Sequence, residues 1–277
     1  MSTKSSLDTI WHIPDDLWSL IAPLLGPEKP LGTRGRPATS FRLAFDAILY
    51  VLRTGCQWHA LPRQADAPPS TIHTLYSKWV KAGVFAKAWK ALLEYYDQQQ
   101  GIKWQWQALD GAITKAPLGG AATGPSPVDR AKLGTKGSVL TDQRGAPLAI
   151  FVTPANTHDK SVALDTLDGI IVKRPAKLIY RLQHLCLDKG YDYADVIEGV
   201  KARDYILHMK QRGQAEEPVD DEKEYPARRW VVERTHSWMN RFRRLLVRWE
   251  KKVENYQAML HLACVLILYR LVASAAS

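Results

Sequence analysis

The stretch Arg228–Lys252, RRWVVERTHSWMNRFRRLLVRWEKK, governs how the rest of the chain is read. It holds no Gly or Pro, so its composition predicts one long helix. Thr235, Trp238, Phe242, Leu245 and Trp249 recur at three- and four-residue steps, a bulky stripe that faces a core. About 180° away run Arg229, Glu233, Asn240, Arg244 and, slightly offset, Arg248. Nine Lys/Arg against Glu233 and Glu250 give this segment +7 of the chain's formal +10. A carboxylate at Glu233, inside so basic a face, has two readings. It is either the i, i+4 partner of Arg229 on a solvated helix, or a metal-binding acid among groups that hold nucleic-acid phosphates.

Composition narrows the partner class. The 38 Lys+Arg against 28 Asp+Glu favour a polyanion, nucleic acid before an anionic membrane surface. Cys56, Cys186 and Cys264 lie far apart and odd in number, which fits small core residues and neither a disulfide framework nor a zinc site. The N-terminus MSTKSSLDTIWHIPDD lacks an apolar signal core, so export is not expected. Ala258–Ala273 is apolar but short for a span and broken by His261 and Arg270. It reads as a buried C-terminal helix, and no membrane partner is expected.

The first hundred residues read as short helices: 14–25, 41–54 stopped by Gly55, a helix capped by Ser70 and ending at Gly83, and a fourth from about Val84 to Gln98. A basic turn, Gly32–Ser40, separates the first two. Helix, turn and capped helix, with Lys78 and Lys81 on the last, form a helix-turn-helix pattern that DNA-binding and inert bundles share. From Lys103 the texture changes. WQWQALD (104–110) alternates apolar and polar residues and ends on an acid, and Gly134–Pro154 reads as two strands about the turn Gln143-Arg144-Gly145. Asn156–Asp159 can cap a helix running to about Ile171; a short strand, 182–187, ends at Asp188. A helix, 193–202, and a strand, 205–209, precede the acidic stretch EEPVDDEKEYP.

Asp110 and Asp188 each follow a strand-like apolar run, where an acid points into the crevice beyond the strand. With a helical Glu they would make an oxygen site suited to hard divalent cations. Taken singly, each is also ordinary turn chemistry. Asp142 and Asp159 read as structural, at a turn and a helix cap, as does His158. Trp104 and Trp106 read as core, and Trp238 as core or a base-stacking platform.

The order LDGA, LDKGYD, RRWVVERTHSWMNRFRRL resembles the DDE transposases of bacterial insertion sequences, especially the insertion-sequence-five group. IPDDLW, GRP and AILYVLRTGCQWHALP resemble that group's N-terminal domain, STIHTLYSKWVKAGVF its helix-turn-helix, and GTKGSVLTDQRGAPLAIFVTPANTHD its central hairpin and following helix. The resemblance implies an α/β fold: a ribonuclease-H-like catalytic domain, a mixed sheet flanked by helices, over 101–277 with C-terminal helices. An all-helical DNA-binding domain with a helix-turn-helix would precede it over 1–100. The implied metal-holding triad is Asp110, Asp188 and Glu233, with spacings 188 − 110 = 78 and 233 − 188 = 45. The signature around the Glu is met by Arg229 and Glu233. Its Tyr slot holds Pro226, with Tyr225 one place off, and its Lys slot holds Asn240, with Arg241 beside it.

The implied activity is cleavage and joining of DNA strands at the ends of an insertion sequence by phosphoryl transfer. The cofactor is Mg²⁺ or Mn²⁺, two ions about 3.5–4 Å apart. The partners are double-stranded DNA, both element ends and target, and a homodimer or larger assembly on DNA, in the bacterial cytoplasm. Lys78, Lys81, Lys136, Arg229, Asn240, Arg241, Arg244 and Arg248 are the candidate DNA-binding residues. Two rivals are a catalytically silent DNA-binding regulator derived from such an enzyme and a metal-dependent nuclease without strand joining.

Overall fold

The computed structural model describes residues 9–28, 39–62, 67–176, 182–209 and 229–276. Most of the basic turn 32–40, the acidic stretch before Arg228, Tyr225 and Pro226 lie outside the described residues. The described chain divides into two compact units. One comprises the first 99 residues, Asn240–Leu246 and Glu254–Ser277; the other comprises Gln100–Met239 and Val247–Val253. The C-terminal helix therefore groups with the N-terminal helices, whereas the sequence reading assigned it to the catalytic part.

The helical unit is built on α1 (Asp15–Ile21), α2 (Phe41–Thr54), α3 (Pro69–Lys81) and α4 (Val84–Gln100). α2 is apolar on nearly every side and ends at Gly55, whose φ of 70° supplies the left-handed C-cap. Phe45 is its pivot: its ring lies 5.8 Å from both Trp79 of α3 and Phe85 of α4. α3 starts on Pro69 at its first position, and Ser70 makes no capping bond; proline's fixed φ, rather than a side-chain cap, begins this helix. The connection 55–68 between α2 and α3 is longer than the three- or four-residue turn of a helix-turn-helix. The last helix, named α9 below (Val253–Ala276), is long and apolar enough to cross a bilayer, yet 56% of its apolar window is buried. Leu262, Ala263, Cys264, Val265 and Leu266 all lie in the core.

The second unit is a six-stranded mixed sheet. β1 (Trp106–Lys115) and β3 (Leu133–Asp142) pair antiparallel over nine residues, and β4 (Pro147–Pro154) pairs antiparallel with β3. The short β2 (Gly124–Pro125) also pairs with β3. On its other side β1 runs parallel to β5 (Gln183–Cys186), and β5 parallel to β6 (Tyr205–His208). α5 (Asp159–Asp168) and α6 (Ala194–Ala202) supply the crossovers that parallel strands require. Three antiparallel strands, then parallel ones, flanked by helices, is the ribonuclease-H-like arrangement.

Polar groups lock the strand ends in register. Gln107 Nε2 donates to Gln183 Oε1 (3.1 Å), and Tyr205 Oη donates to Gln107 Oε1 (2.8 Å), which ties β1, β5 and β6 together. Asp142 is wholly buried but takes the N–H groups of Arg144, Ala146 and Lys103, so it is a turn residue as expected. Gly145 in that turn has φ 85°, and a Cβ there would stand 2.8 Å from Thr235 Oγ1. No other residue type permits that approach.

The expected single helix over 228–252 is not formed. α7 (Trp230–Met239) ends, α8 (Arg243–Leu246) is a single turn, and α9 begins at Val253. The break needs neither Gly nor Pro. Val247 bridges Lys115 in parallel, Arg248 N–H donates to the Lys115 carbonyl (2.8 Å), and strand-like pairing to the end of β1 replaces the helical bond. The Arg248 side chain is 1% exposed. Its guanidinium donates to the carbonyls of Ala121, Ala122 and Glu250 and to Thr135 Oγ1. Fixing three carbonyls in the interior outweighs helix propensity, which differs among these residues by only tenths of a kcal/mol each. Arg248→Met is expected to lower unfolding free energy by about 3 kcal/mol, since buried acceptors are left unsatisfied; urea denaturation followed by far-UV dichroism measures it. An unchanged midpoint would return Arg248 to the surface role expected from its place in the basic stripe.

Candidate active site

Asp110 is not at the end of its strand. β1 continues to Lys115, paired throughout with β3. What ends near Asp110 is the parallel pairing with β5: Ala108 opposes Cys186, and no further β1–β5 pair forms. Asp110 stands two residues beyond that last pair, still within β1, and Asp188 stands two residues past the end of β5, so one acid lies mid-strand and the other beyond a strand end as expected.

Asp110 accepts the Gly111 N–H at 2.8 Å. Burial pushes its carboxyl above the usual carboxylate range; the Gly111 bond, His236 and Arg229 oppose that, and Asp188 adds to it. Asp188 leaves β5 and caps the turn Lys189–Tyr191, accepting the Lys189 N–H at 2.7 Å. Glu233 lies in the first turn of α7, where a carboxylate is favoured by the helix dipole. The rotation of α7 is set from its far side: Thr235 Oγ1 donates to the Gly145 carbonyl (2.9 Å), and Arg234 Nη2 to that of Arg144 (2.8 Å). Both anchors lie in the β3–β4 turn. Sheet and helix thus present their acids to one region.

Arg229 links them. Its Nε and Nη2 donate to Glu233 Oε1 at 3.1 and 2.9 Å, and its Nη1 donates to Asp188 Oδ1. Glu233 is therefore the ion-pair partner of Arg229, and it shares that arginine with Asp188. The Glu233 bond holds the Arg229 guanidinium above its ordinary pKa, with burial opposing and Asp188 assisting. Three carboxylates with only oxygen donors suit a hard divalent cation. A cationic group already lodged against two of them marks the place as one that holds positive charge. The donor chemistry fits such an ion, while among the described residues no three His, Cys, Asp or Glu side chains are gathered to hold one with Arg229 in place.

Two neighbours were missed in the sequence. His236 lies beside Asp110, and burial drives its imidazole below the ordinary histidine range despite Asp110 and Glu233 nearby. Its Nε2 is buried without a hydrogen-bond partner. The i, i+3 step from Glu233 was the available signal, since it places both on one helical face. Tyr191 is buried behind the acids; burial first, then Asp159, Asp110 and Asp188, raise its phenol. Nothing in local spacing pointed to it.

The candidate DNA-binding residues divide. Lys78 and Lys81 are exposed on α3, opposite the buried Ile72, Tyr76 and Trp79. Asn240 and Arg241 are exposed in the turn after α7. Arg244 is 5% exposed and donates to the Cys56 carbonyl, and Arg248 is buried as described, so neither faces solvent. Lys136 is 6% exposed: its Nζ donates to Asp159 Oδ1 (2.8 Å) and the Thr157 carbonyl (2.7 Å). A Cβ at Gly111 would stand 3.0 Å from that Asp159 oxygen, so the pair packs on the sheet face opposite Asp110. Asp159 follows the cap His158 and serves as the counter-ion of Lys136. Trp238 is half-buried, with the Arg234 guanidinium 4.7 Å from its ring and 4.7 Å from that of the exposed Trp230.

Known proteins match both units. Residues 13–89 match the family described as putative transposase of IS4/5 family, and residues 107–268 match the transposase DDE domain. The putative transposase for insertion sequence element IS402 of Burkholderia cepacia is 36% identical over 155 residues, covering 52% of this chain and 67% of that protein. The insertion element IS402 uncharacterized 16.2 kDa protein of Burkholderia cepacia is 34% identical over 118 residues, 42% of this chain and 80% of that one. Among solved structures, the piggyBac transposase synaptic complex with hairpin DNA aligns over 96% of this chain and 74% of that chain, at 10% identity and a TM-score of 0.48. The DDE match spans more than half of the chain, from the second residue of β1 into α9, and takes in every carboxylate of the site. The chain belongs to the DDE transposases, enzymes that act on DNA.

Proposed function

We infer that Asp110, Asp188 and Glu233 hold two divalent cations, Mg²⁺ or Mn²⁺, and that the enzyme cleaves and joins strands at the ends of an insertion sequence. The observation that supports this reading is that Asp110 and Asp188 each stand two residues past the last β1–β5 pair, with Glu233 tied to Asp188 through Arg229. When bound, the cations activate water or a 3′-hydroxyl and neutralise charge on the leaving oxygen. The carboxylates would act as ligands, and the proton lost by the water or hydroxyl would pass to solvent at this half-exposed site. The Arg229 guanidinium has the planar fork that pairs with a phosphate. His236 and Tyr191 are neighbours of Asp110 and line its side of the site. Lys78, Lys81, Asn240 and Arg241 are the exposed candidates for positioning the duplex through its phosphates, with double-stranded DNA as partner and a homodimer or larger assembly pairing two ends.

The full chain incubated with Mn²⁺ and DNA carrying candidate element ends should yield joined products. Nicks alone would reduce the enzyme to a nuclease, and binding without cleavage would reduce it to a regulator. The duplex interface has its own measurement. Lys78→Gln with Lys81→Gln should flatten the plot of log affinity against log salt by about 1.8, at roughly 0.9 for each phosphate no longer neutralised. Fluorescence anisotropy across a salt series reads this slope; an unchanged slope would move duplex recognition away from α3.

A further inference from the structure

We propose that the Arg229 guanidinium bars the carboxylates from divalent cations until a DNA phosphate draws it away, so that metal loading is coupled to DNA binding. The proposal rests on the reading of Asp110, Asp188 and Glu233 as metal ligands. Arg229 spends its donors on two acceptors, Asp188 Oδ1 and Glu233 Oε1. Those are oxygens a cation would need, and one oxygen cannot direct the same lone pair to an N–H and to a metal. A guanidinium has no acceptor of its own, so it cannot join the coordination sphere. Beside a divalent ion its charge is repulsive. It therefore excludes the ion both by occupying the ligands and by its field. Consistent with this, among the described residues no three His, Cys, Asp or Glu side chains are placed to hold an ion. Two of the three acids, Asp188 and Glu233, are turned to the arginine.

The latch can be released from solvent. The Arg229 side chain is 42% exposed, and those of Asp188 and Glu233 are 47% and 49% exposed. Arg229 immediately precedes α7, so its backbone is not held on both sides by helical bonds. A phosphodiester offers two oxygens to the same planar fork. Once the fork turns to it, two carboxylates lose their counter-ion together and their affinity for a divalent cation rises. Linkage makes the effect mutual: the cation, by claiming Asp188 and Glu233, frees Arg229 for the phosphate. The chain would thus stay largely metal-free, and unable to cut, until DNA is in place.

The test is Mn²⁺ affinity of the full chain, read by electron paramagnetic resonance of the free ion, with and without a short duplex of arbitrary sequence. Binding to the duplex alone is subtracted. Wild type should bind Mn²⁺ about tenfold more tightly with duplex than without. Arg229→Gln, which keeps hydrogen bonding but loses the charge and the fork, should bind about tenfold more tightly than wild type without DNA and gain nothing from the duplex. Arg229→Lys, charged but unable to span both acids, should fall between them. Dichroism melts check that each variant is folded. An Arg229→Gln affinity equal to or weaker than wild type, or a duplex effect that survives the substitution, overturns the coupling. Asp188→Asn placed on Arg229→Gln separates the two levels: it should weaken Mn²⁺ binding at least tenfold. If it does not, the carboxylates are not ligands, and the reading beneath the proposal fails with it.

Discussion

Asp110→Asn and Asp188→Asn, made separately in the full chain, are expected to leave the fold in place, to leave DNA affinity unchanged or raised, and to lower strand cleavage about a thousandfold or more. At about 1.4 kcal/mol per decade that loss is on the order of 4 kcal/mol of transition-state stabilisation. The amide oxygen can still accept the Gly111 or Lys189 N–H that each carboxylate now takes. At Asp110 burial already disfavours the charged form, so a neutral amide is tolerated there. At Asp188 the partner removed is a half-exposed Arg229, a pair worth about 0–1 kcal/mol. Cleavage rates on end DNA, with thermal melts of the same preparations, separate chemistry from folding. Either variant cutting at near wild-type rate in Mg²⁺ would remove that residue from the ligand set.

Glu233→Gln is expected to lose cleavage to a similar extent while changing stability by no more than about 1 kcal/mol, the combined worth of a half-exposed i, i+4 pair and a first-turn dipole interaction. Duplex affinity should hold or rise, because a negative charge beside the incoming phosphates is gone and Arg229 is partly freed. Gel-shift titration and single-turnover cleavage on one preparation read both. Activity comparable with wild type would leave Glu233 an ion-pair partner and nothing more. Arg244→Ala, by contrast, is expected to act through stability: its guanidinium is buried against the Cys56 carbonyl, and a change in the salt dependence of DNA binding is not its expected signature. A fragment ending near Gln100 is likewise a poor reporter of DNA binding, since it would lack Asn240–Leu246 and α9 from its own compact unit.

The sequence by itself determined most of the elements and singled out the acids. α2 begins and ends where apolar residues and Gly55 place it, and the hairpin about Gln143–Gly145 turns as its residues require. Local chemistry is enough there: a left-handed cap, a φ of 85°, alternation along a strand. The carboxylates were singled out by their neighbours in sequence, two acids after apolar runs and one inside a basic helix. The tertiary structure decided what those acids do relative to one another. Asp110 looked like a strand end because the apolar run stops, but pairing with β3 carries the strand five residues further, and only the β1–β5 register shows which side opens. Helical periodicity ran unbroken from Arg228 to Lys252, yet Val247 pairs with β1 and Arg248 gathers carbonyls from a loop about 125 residues away in sequence. Such long-range bonds leave no periodic trace. For the same reason Lys136 and Arg244 read as surface charge and prove buried: a lysine's exposure depends on whether an Asp159 from another element meets it. Charge was legible in the sequence, but whether a given charge faces DNA, metal or the protein's own interior was set by the packing around it.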